Sequence, residues 1–277
     1  MPRAADRRVV ELHGGAVRTA LDFLAVQGPH GFAAGMLLEG TGERGEGGDD
    51  RVAPVALGLV GEGGALVAVV ARRGDHAIVC APLADVWDDV LRAVGELRPR
   101  LRRLDLPLPL HDRLVELHPG VLAGAHGYTV WLTRLGRLRV PTRPVPTVRR
   151  ARIGDAPAVQ AIYAHVCWMR DDDLDRWRRR LRLGRSWVAE MEGRPVAVAR
   201  WTGCWDGTVE VGGVACEPGA RRRGAATAVV IAAIDHARRA GRTVLLSYGD
   251  PELGALYHGL GFEHVGRHRW LSWPPGD

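Results

Sequence analysis

The residues whose types and spacing could do chemistry lie in Val214-Ala-Cys-Glu-Pro-Gly-Ala-Arg-Arg-Arg-Gly-Ala-Ala226. An alternating apolar run over Thr208–Cys216 leads into it, and an Ala-rich run over Ala225–Ala240 leads out. The pattern reads strand, tight turn, helix. The first-turn amides of such a helix have no intrahelical acceptor, and the dipole puts partial positive charge there. That geometry is an anion site. Gly224 lets a phosphate approach the backbone, Ala225 and Ala226 keep side chains out of the way, and Arg221, Arg222 and Arg223 add positive charge. The ligand it fits is a pyrophosphate. Taken alone, the stretch reads equally as an ordinary strand-to-helix corner.

About thirty residues on comes Asp250-Pro-Glu-Leu-Gly-Ala-Leu-Tyr-His-Gly-Leu-Gly-Phe262. Together the two stretches resemble the GNAT N-acyltransferase superfamily. The family pattern Arg/Gln-x-x-Gly-x-Gly/Ala is matched by Arg221, Gly224 and Ala226. Its later pattern, Asn-Pro-x-x-x-x-Leu-Tyr-x-x-x-Gly-Phe, is matched from Pro251 through Leu256, Tyr257, Gly261 and Phe262. Asp250 stands where the family has Asn, and a carboxylate cannot donate a hydrogen bond as an amide does. Arg222 stands where many members have Gly.

The resemblance implies an acyl-CoA cosubstrate, acetyl-CoA or another, and no metal. The acyl-CoA would lie where the strand ending at Cys216 splays from the strand at Val244–Ser247, with pantetheine along the backbone of Val214, Ala215 and Cys216. Amides of Arg222, Gly224, Ala226 and Thr227 would hold the pyrophosphate, and Asp250 would border the pantetheine. The Cys216 amide would polarise the thioester carbonyl. Tyr257 would protonate the departing thiolate, against the alternative of a core tyrosine. Glu210 would accept the amine's proton through water, against the alternative of an orienting carboxylate. The implied acceptor is a small-molecule or peptide amine attacking directly: an amino acid, an aminoglycoside-like metabolite, a polyamine or a protein N-terminus. Two other classes compete: a non-catalytic acyl-CoA-binding module, and a GNAT-fold enzyme of altered chemistry such as thioester hydrolysis, decarboxylation or transfer from a carrier protein.

The elements that must position these residues follow from the same pattern. Val148–Ala151 reads as a strand, Asp155 as the cap of a helix running to about Cys167, and Asp171–Asp175 as the start of another. Trp187–Glu190 and Val196–Trp201 read as strands, and Thr208–Cys216 as a third. Gly241 ends the long helix. Val244–Ser247 is a strand, Leu253–Leu260 a helix, and Glu263–Trp273 two short strands. Arg176–Arg182 reads as a solvated helix face. Trp168, Trp177, Trp187, Trp201 and Trp205 read as core aromatics, or more pointedly as the lining of an acceptor pocket. His165, His258, His264 and His268 lack a metal-ligand spacing.

The first half has neither pattern. Ala16–Val26 reads as a helix, Thr41–Asp50 as a mobile glycine-rich loop, Val55–Val60, Ala65–Ala71 and His76–Ala81 as strands, Leu83–Leu97 as a helix, and Gly127–Leu135 as a late strand. That order resembles a degenerate copy of the same fold, against the alternative of an unrelated accessory domain, and predicts no CoA site there. Val140-Pro-Thr-Arg-Pro-Val-Pro-Thr147 is proline-broken and extended. The expected organisation is therefore 1–140, a 141–147 linker, and a catalytic 148–277. The fold class is α/β (α+β), a mixed central sheet flanked by helices, in two tandem GNAT-like domains.

The 277 residues carry a net charge of +6. Every basic residue is Arg and no Lys or Asn occurs, which reads as a GC-rich genome rather than a nucleic-acid partner. Arg outnumbers acids by 18 to 17 up to Pro146 and by 20 to 15 after it, so the excess sits in the half expected to hold a polyanion. With 46% hydrophobic and 25% charged residues the chain is too apolar to be disordered. It has no run of about 18 apolar residues, and its N-terminus lacks an apolar signal core. No membrane or nucleic-acid partner is expected, a homodimer is an open expectation, and the expected compartment is the cytoplasm. Cys80, Cys167, Cys204 and Cys216 form no CxxC and read as small apolar residues.

Overall fold

The computed structural model describes residues 7–40, 53–97, 100–142, 145–165 and 173–274. Ten elements appear twice in one order. The first set is β1 (Arg8–Leu12), α1 (Val17–Val26), α2 (Pro29–Glu39), β2 (Val55–Val60), β3 (Leu66–Arg73), β4 (His76–Cys80), α3 (Trp87–Leu97), β5 (Arg103–Pro107), α4 (Leu108–Leu117) and β6 (His126–Leu135). The second is β7 (Thr147–Arg150), α5 (Ala156–Tyr163), α6 (Leu174–Arg182), β8 (Ser186–Met191), β9 (Arg194–Trp205), β10 (Thr208–Cys216), α7 (Ala225–Arg239), β11 (Thr243–Tyr248), α8 (Gly254–Gly259) and β12 (Phe262–Ser272). Both read β-α-α-β-β-β-α-β-α-β. The first half is thus a repeat of the second in topology.

The chain divides into two compact units. The first is Met1–Leu132 with Tyr248–Asp250 and His264–Asp277; the second is Thr133–Ser247 with Pro251–Glu263. In the first unit β1 to β4 pair antiparallel in sequence, β4 pairs parallel with β5, and β12 adds antiparallel to β5 through His268↔Pro107 to Ser272↔Arg103. Its core joins Val79, Val90, Leu91, Leu104 and Leu106 to Leu271 and Trp273. In the second unit β7, β8, β9 and β10 pair antiparallel, and β10 pairs parallel with β11. Its main cluster packs Val159, Ile162, Tyr163, Trp177 and Leu181 of α5 and α6 on Val188, Val198 and Ala215 of the sheet.

Several elements depart from expectation for identifiable reasons. Helix α2, which the sequence reading did not include, contains Gly31 and Gly35. Gly31 is there because α2 crosses α1 closely: a Cβ would lie 2.0 Å from the Leu24 carbonyl oxygen. β5 and α4 hide in a proline-rich run, where Pro107 and Pro109 occupy the start of α4 and lose no helical hydrogen bond. β1, Arg8–Leu12, is a further strand that the sequence reading did not include. The two short strands expected near the C-terminus are one strand, β12.

Asp155 does not cap α5 with its side chain. It accepts from the Arg152 N–H at 2.6 Å and from both Arg149 guanidinium nitrogens at 2.7 and 2.9 Å. Asp173 caps α6, accepting from Arg176 N–H at 2.6 Å. Nor is Arg176–Arg182 a wholly solvated face, because Trp177, Arg180 and Leu181 are buried. Thr41–Asp50, Cys167, Trp168 and Asp171–Asp172 lie outside the described residues. Among the described residues no helix is long and apolar enough to cross a membrane.

Candidate functional site

β10 and β11 run parallel and pair only at Thr208↔Thr243, Val209↔Val244 and Glu210↔Leu245. β10 continues to Cys216 on β9 alone, where Cys216↔Ala197 is the last pair. The backbone groups of β10 past Glu210 that would face β11 are therefore no longer answered by it. β10 thus runs on without β11 toward its carboxyl end, the side on which open α/β sheets bind ligands. Val214 and Cys216 are half-buried and Ala215 is buried.

The turn after Cys216 is a single 3-10 turn, Pro218–Ala220, followed by Arg221–Gly224. Ala220 and Arg221 N–H groups bond back to Glu217 and Pro218. The first bond of α7 runs from Ala228 N–H to Gly224 O at 2.9 Å. The amides of Ala225, Ala226 and Thr227 thus precede any intrahelical acceptor, and no acid lies in the first turn. Gly224 caps the helix at φ 83°, and Arg222 before it also has positive φ, 62°. A left-handed non-glycine residue costs about 1–2 kcal/mol, a strain that a glycine at 222 would not carry. The side chains of Arg221, Arg222 and Arg223 are exposed. The turn is anchored by Arg194 on Glu217 at 2.5 Å.

α7 is seated from behind. Trp201 Nε1 donates to Ala233 O at 3.1 Å. The His236 ring sits 5.6 Å from Trp187 and 5.2 Å from Trp201. Burial pushes the His236 pKa down. At the far end Gly241, at φ 67°, terminates α7 and its N–H bonds to Arg238 O.

Glu210 sits at the last β10–β11 pair and is 9% exposed, with Val209 and Val211 fully buried on the opposite side. Ser247 Oγ donates to one carboxylate oxygen at 2.7 Å and Thr202 Oγ1 to the other at 2.8 Å. Sequence reasoning missed both hydroxyls. Their signal was weak, since they lie on neighbouring strands whose register no sequence pattern prints. Both carboxylate oxygens are thereby held in place by hydroxyl donors from neighbouring strands.

Tyr257 is buried in α8, and its ring meets Phe262 edge-on at 6.2 Å. Asp250 is exposed in the turn before α8. Cys216 is a half-buried thiol whose pKa burial pushes up, Arg221 opposing. Cys80 is pushed up to about 12 by burial. These are packing cysteines rather than thiolates. Among the described residues no group of three or more His, Cys, Asp and Glu could hold a metal ion. Trp177, Trp187 and Trp205 are buried. Arg200 lies over the Trp177 and Tyr163 rings at 5.4 and 5.8 Å, and burial brings its pKa down to about 9.

A parallel strand pair that parts after three residues thus leads directly into a helix start with a glycine cap and no acid in its first turn. Residues 158–262 match the acetyltransferase (GNAT) family. The matched segment lies within the second repeat and contains both the Arg221–Ala226 and the Leu256–Phe262 stretches.

Solved structures with the same fold span nearly the whole chain. A Drosophila protein superposes with TM-score 0.69 at 16% identity, covering 97% of this chain and 99% of its own. A GCN5-related N-acetyltransferase from Sphaerobacter thermophilus gives 0.62 at 19% identity, with 97% of both chains covered. A tandem GNAT protein from the clavulanic acid biosynthesis pathway gives 0.58 at 15%, covering 98% and 100%. At these identities the likeness concerns the fold. A comparison with curated proteins finds no significant match.

Proposed function

We propose that the second unit transfers an acyl group, acetyl in the first instance, from acyl-CoA to a primary amine of a small molecule or peptide. The observation that carries this is the start of α7: the amides of Ala225, Ala226 and Thr227 have no intrahelical acceptor and follow three exposed arginines, beyond the end of a strand that has parted from its parallel neighbour. Pyrophosphate oxygens would take those amides. Pantetheine would run along Val214, Ala215 and Cys216, and the Cys216 N–H would meet the thioester oxygen as charge develops there. The amine attacks the carbonyl carbon, the C–S bond breaks, and the thiolate leaves with its electron pair. Tyr257 supplies the proton. Glu210, held by Thr202 and Ser247, takes the amine's proton through water. A positioned acid or base contributes about 10²–10⁴-fold.

The test is free-thiol release from acetyl-CoA and longer acyl-CoAs across a panel of amines, with thermal unfolding as the binding readout. Amine-dependent thiol release supports the reading. Release without amine would make the protein a thioesterase, and a thermal shift without release would make it a binding module. No shift with any acyl-CoA would remove the cofactor itself.

A further inference from the structure

β10 is irregular where it leaves β11. Its pairing with β9 slips between Glu210 and Val211 and again between Gly212 and Ala215. Inside the second slip Gly213 lies at φ 54°, a conformation that penalises any Cβ. Space forbids one as well. A Cβ on Gly213 would come within 2.5 Å of Arg200 Nε and 2.8 Å of the Tyr163 hydroxyl. The bulge is pressed from outside by two side chains, and one of them grips it: the Tyr163 hydroxyl donates to the Gly213 carbonyl.

Tyr163 is well braced for this. Its ring is fully buried and stacks on Trp177 of α6 with centroids 4.4 Å apart and planes 10° from parallel. The Arg200 guanidinium lies over both rings. Turning Tyr163 away from Gly213 would break the stack. The Gly213 C=O and the Val214 N–H belong to one peptide plane. Fixing the carbonyl therefore fixes the next amide and the path of the strand on to Cys216.

We propose that Tyr163 is a positioning residue for acyl transfer: through Gly213 it sets the direction of the β10 amides that meet the acyl-CoA. This rests on the proposed function, in which the Cys216 N–H faces the thioester oxygen. A donor for developing charge works only when its direction is fixed beforehand, and a misplacement of about 1 Å costs on the order of 10²-fold. Nothing in the family pattern at Arg221–Ala226 or Pro251–Phe262 assigns such a role to α5.

Tyr163→Phe removes the hydroxyl and keeps the ring in its stack. The expected result is a fall in kcat of about tenfold or more with KM for acyl-CoA within about twofold, since the loss is felt mainly in the transition state. Amide hydrogen exchange should quicken at Val214–Cys216 and stay unchanged along α7. Gly213→Ala, which drives a Cβ against the same hydroxyl, should give the same split with a larger loss. Unchanged kcat in Tyr163→Phe, or a fall that only follows the folded fraction, would overturn the role. So would exchange that quickens evenly through the unit. Wild-type protein that binds and turns over beside an indifferent Tyr163→Phe sinks Tyr163 alone. Wild-type protein that neither binds acyl-CoA nor releases thiol takes the proposed function and this role down together.

Discussion

The two units carry the same corner and fill it with opposite charges. In each, a strand pairs parallel with the next through three residues and then parts from it: His76–Ile78 on Arg103–Asp105 in the first, Thr208–Glu210 on Thr243–Leu245 in the second. In each, a short turn and a helix follow. The first turn runs Ala81-Pro-Leu-Ala-Asp-Val86, with no glycine. Trp87 Nε1 donates across it to Ala81 O at 3.2 Å. Asp85, Asp88 and Asp89 surround the start of α3, and Arg7 pairs with Asp85 at 2.5 Å and Asp89 at 3.7 Å. Carboxylates there already answer the helix dipole, and a phosphate arriving would meet like charge. α7 starts with Gly, Ala and Ala, and its nearest charges are arginines. The two corners share their strand pairing and differ in the side chains at the helix start.

The sharpest way to break this comparison is to make the second corner resemble the first. Gly224→Val puts a branched side chain on the φ 83° residue that the pyrophosphate would approach. Acetyl-CoA affinity should fall by about 100-fold or more by calorimetry, whereas neutralising Asp85 and Asp88 in the first unit should leave the affinity unchanged. A gain of a second binding event in that double variant would show the first corner to be a masked site rather than a lost one. Next in size, Tyr257→Phe should lower kcat by about 10²-fold with acetyl-CoA affinity within about twofold. Unchanged turnover removes Tyr257 as the acid.

A smaller effect separates the units by stability. Arg149 holds Asp155 below the usual carboxylate range, and Arg113 does the same to the nearly exposed Asp88. A depressed folded pKa means stabilisation that is present above the unfolded value near 3.9 and lost as pH falls through the folded value. Asp155→Asn should therefore lower Tm at pH 7 and converge on wild type in acid, below the folded pKa. Asp88→Asn should change little at any pH, because its partner is met in solvent. Equal losses would mean burial does not distinguish the two pairs. The smallest effect is Arg222→Gly. It removes a left-handed arginine at φ 62°, a relief of about 1–2 kcal/mol offset by about 0.5–1 kcal/mol of glycine entropy. Tm should rise by a few degrees at most, with acetyl-CoA affinity nearly kept, since only the backbone is used there.

Legibility followed the physics. The corner at 214–226 could be read because strand, turn and helix signals abut there and glycine, alanine and arginine each have a reason to be present. The repeat was legible only as an order of elements, since the first corner kept the topology and lost the residues. Gly31 disguised α2, because a glycine placed for close helix packing looks the same in sequence as a helix breaker. Pro107 and Pro109 concealed β5 and α4 in the same way. The hydroxyls on Glu210 and the grip of Tyr163 on Gly213 were invisible, since both depend on register across strands and on a bulge that alternation cannot foresee. Arg180 and Arg200 were read as, or left among, surface arginines, yet both are buried against Trp177.

The pairing of β12 with β5 bears on how the chain can be made. Asp105 waits for Trp270, about 165 positions later in the sequence. During synthesis the first unit emerges with its core missing Leu271 and Trp273 and with the edge of β5 open to any other strand. Closing that edge is a contact of long sequence separation, which makes folding slow and leaves time for misassembly. A truncation before residue 264 would thus injure the first unit rather than the second, and a fragment ending in the proline segment would expose an unpaired strand. Residues at the end of the second repeat thus complete the part of the protein that was made first.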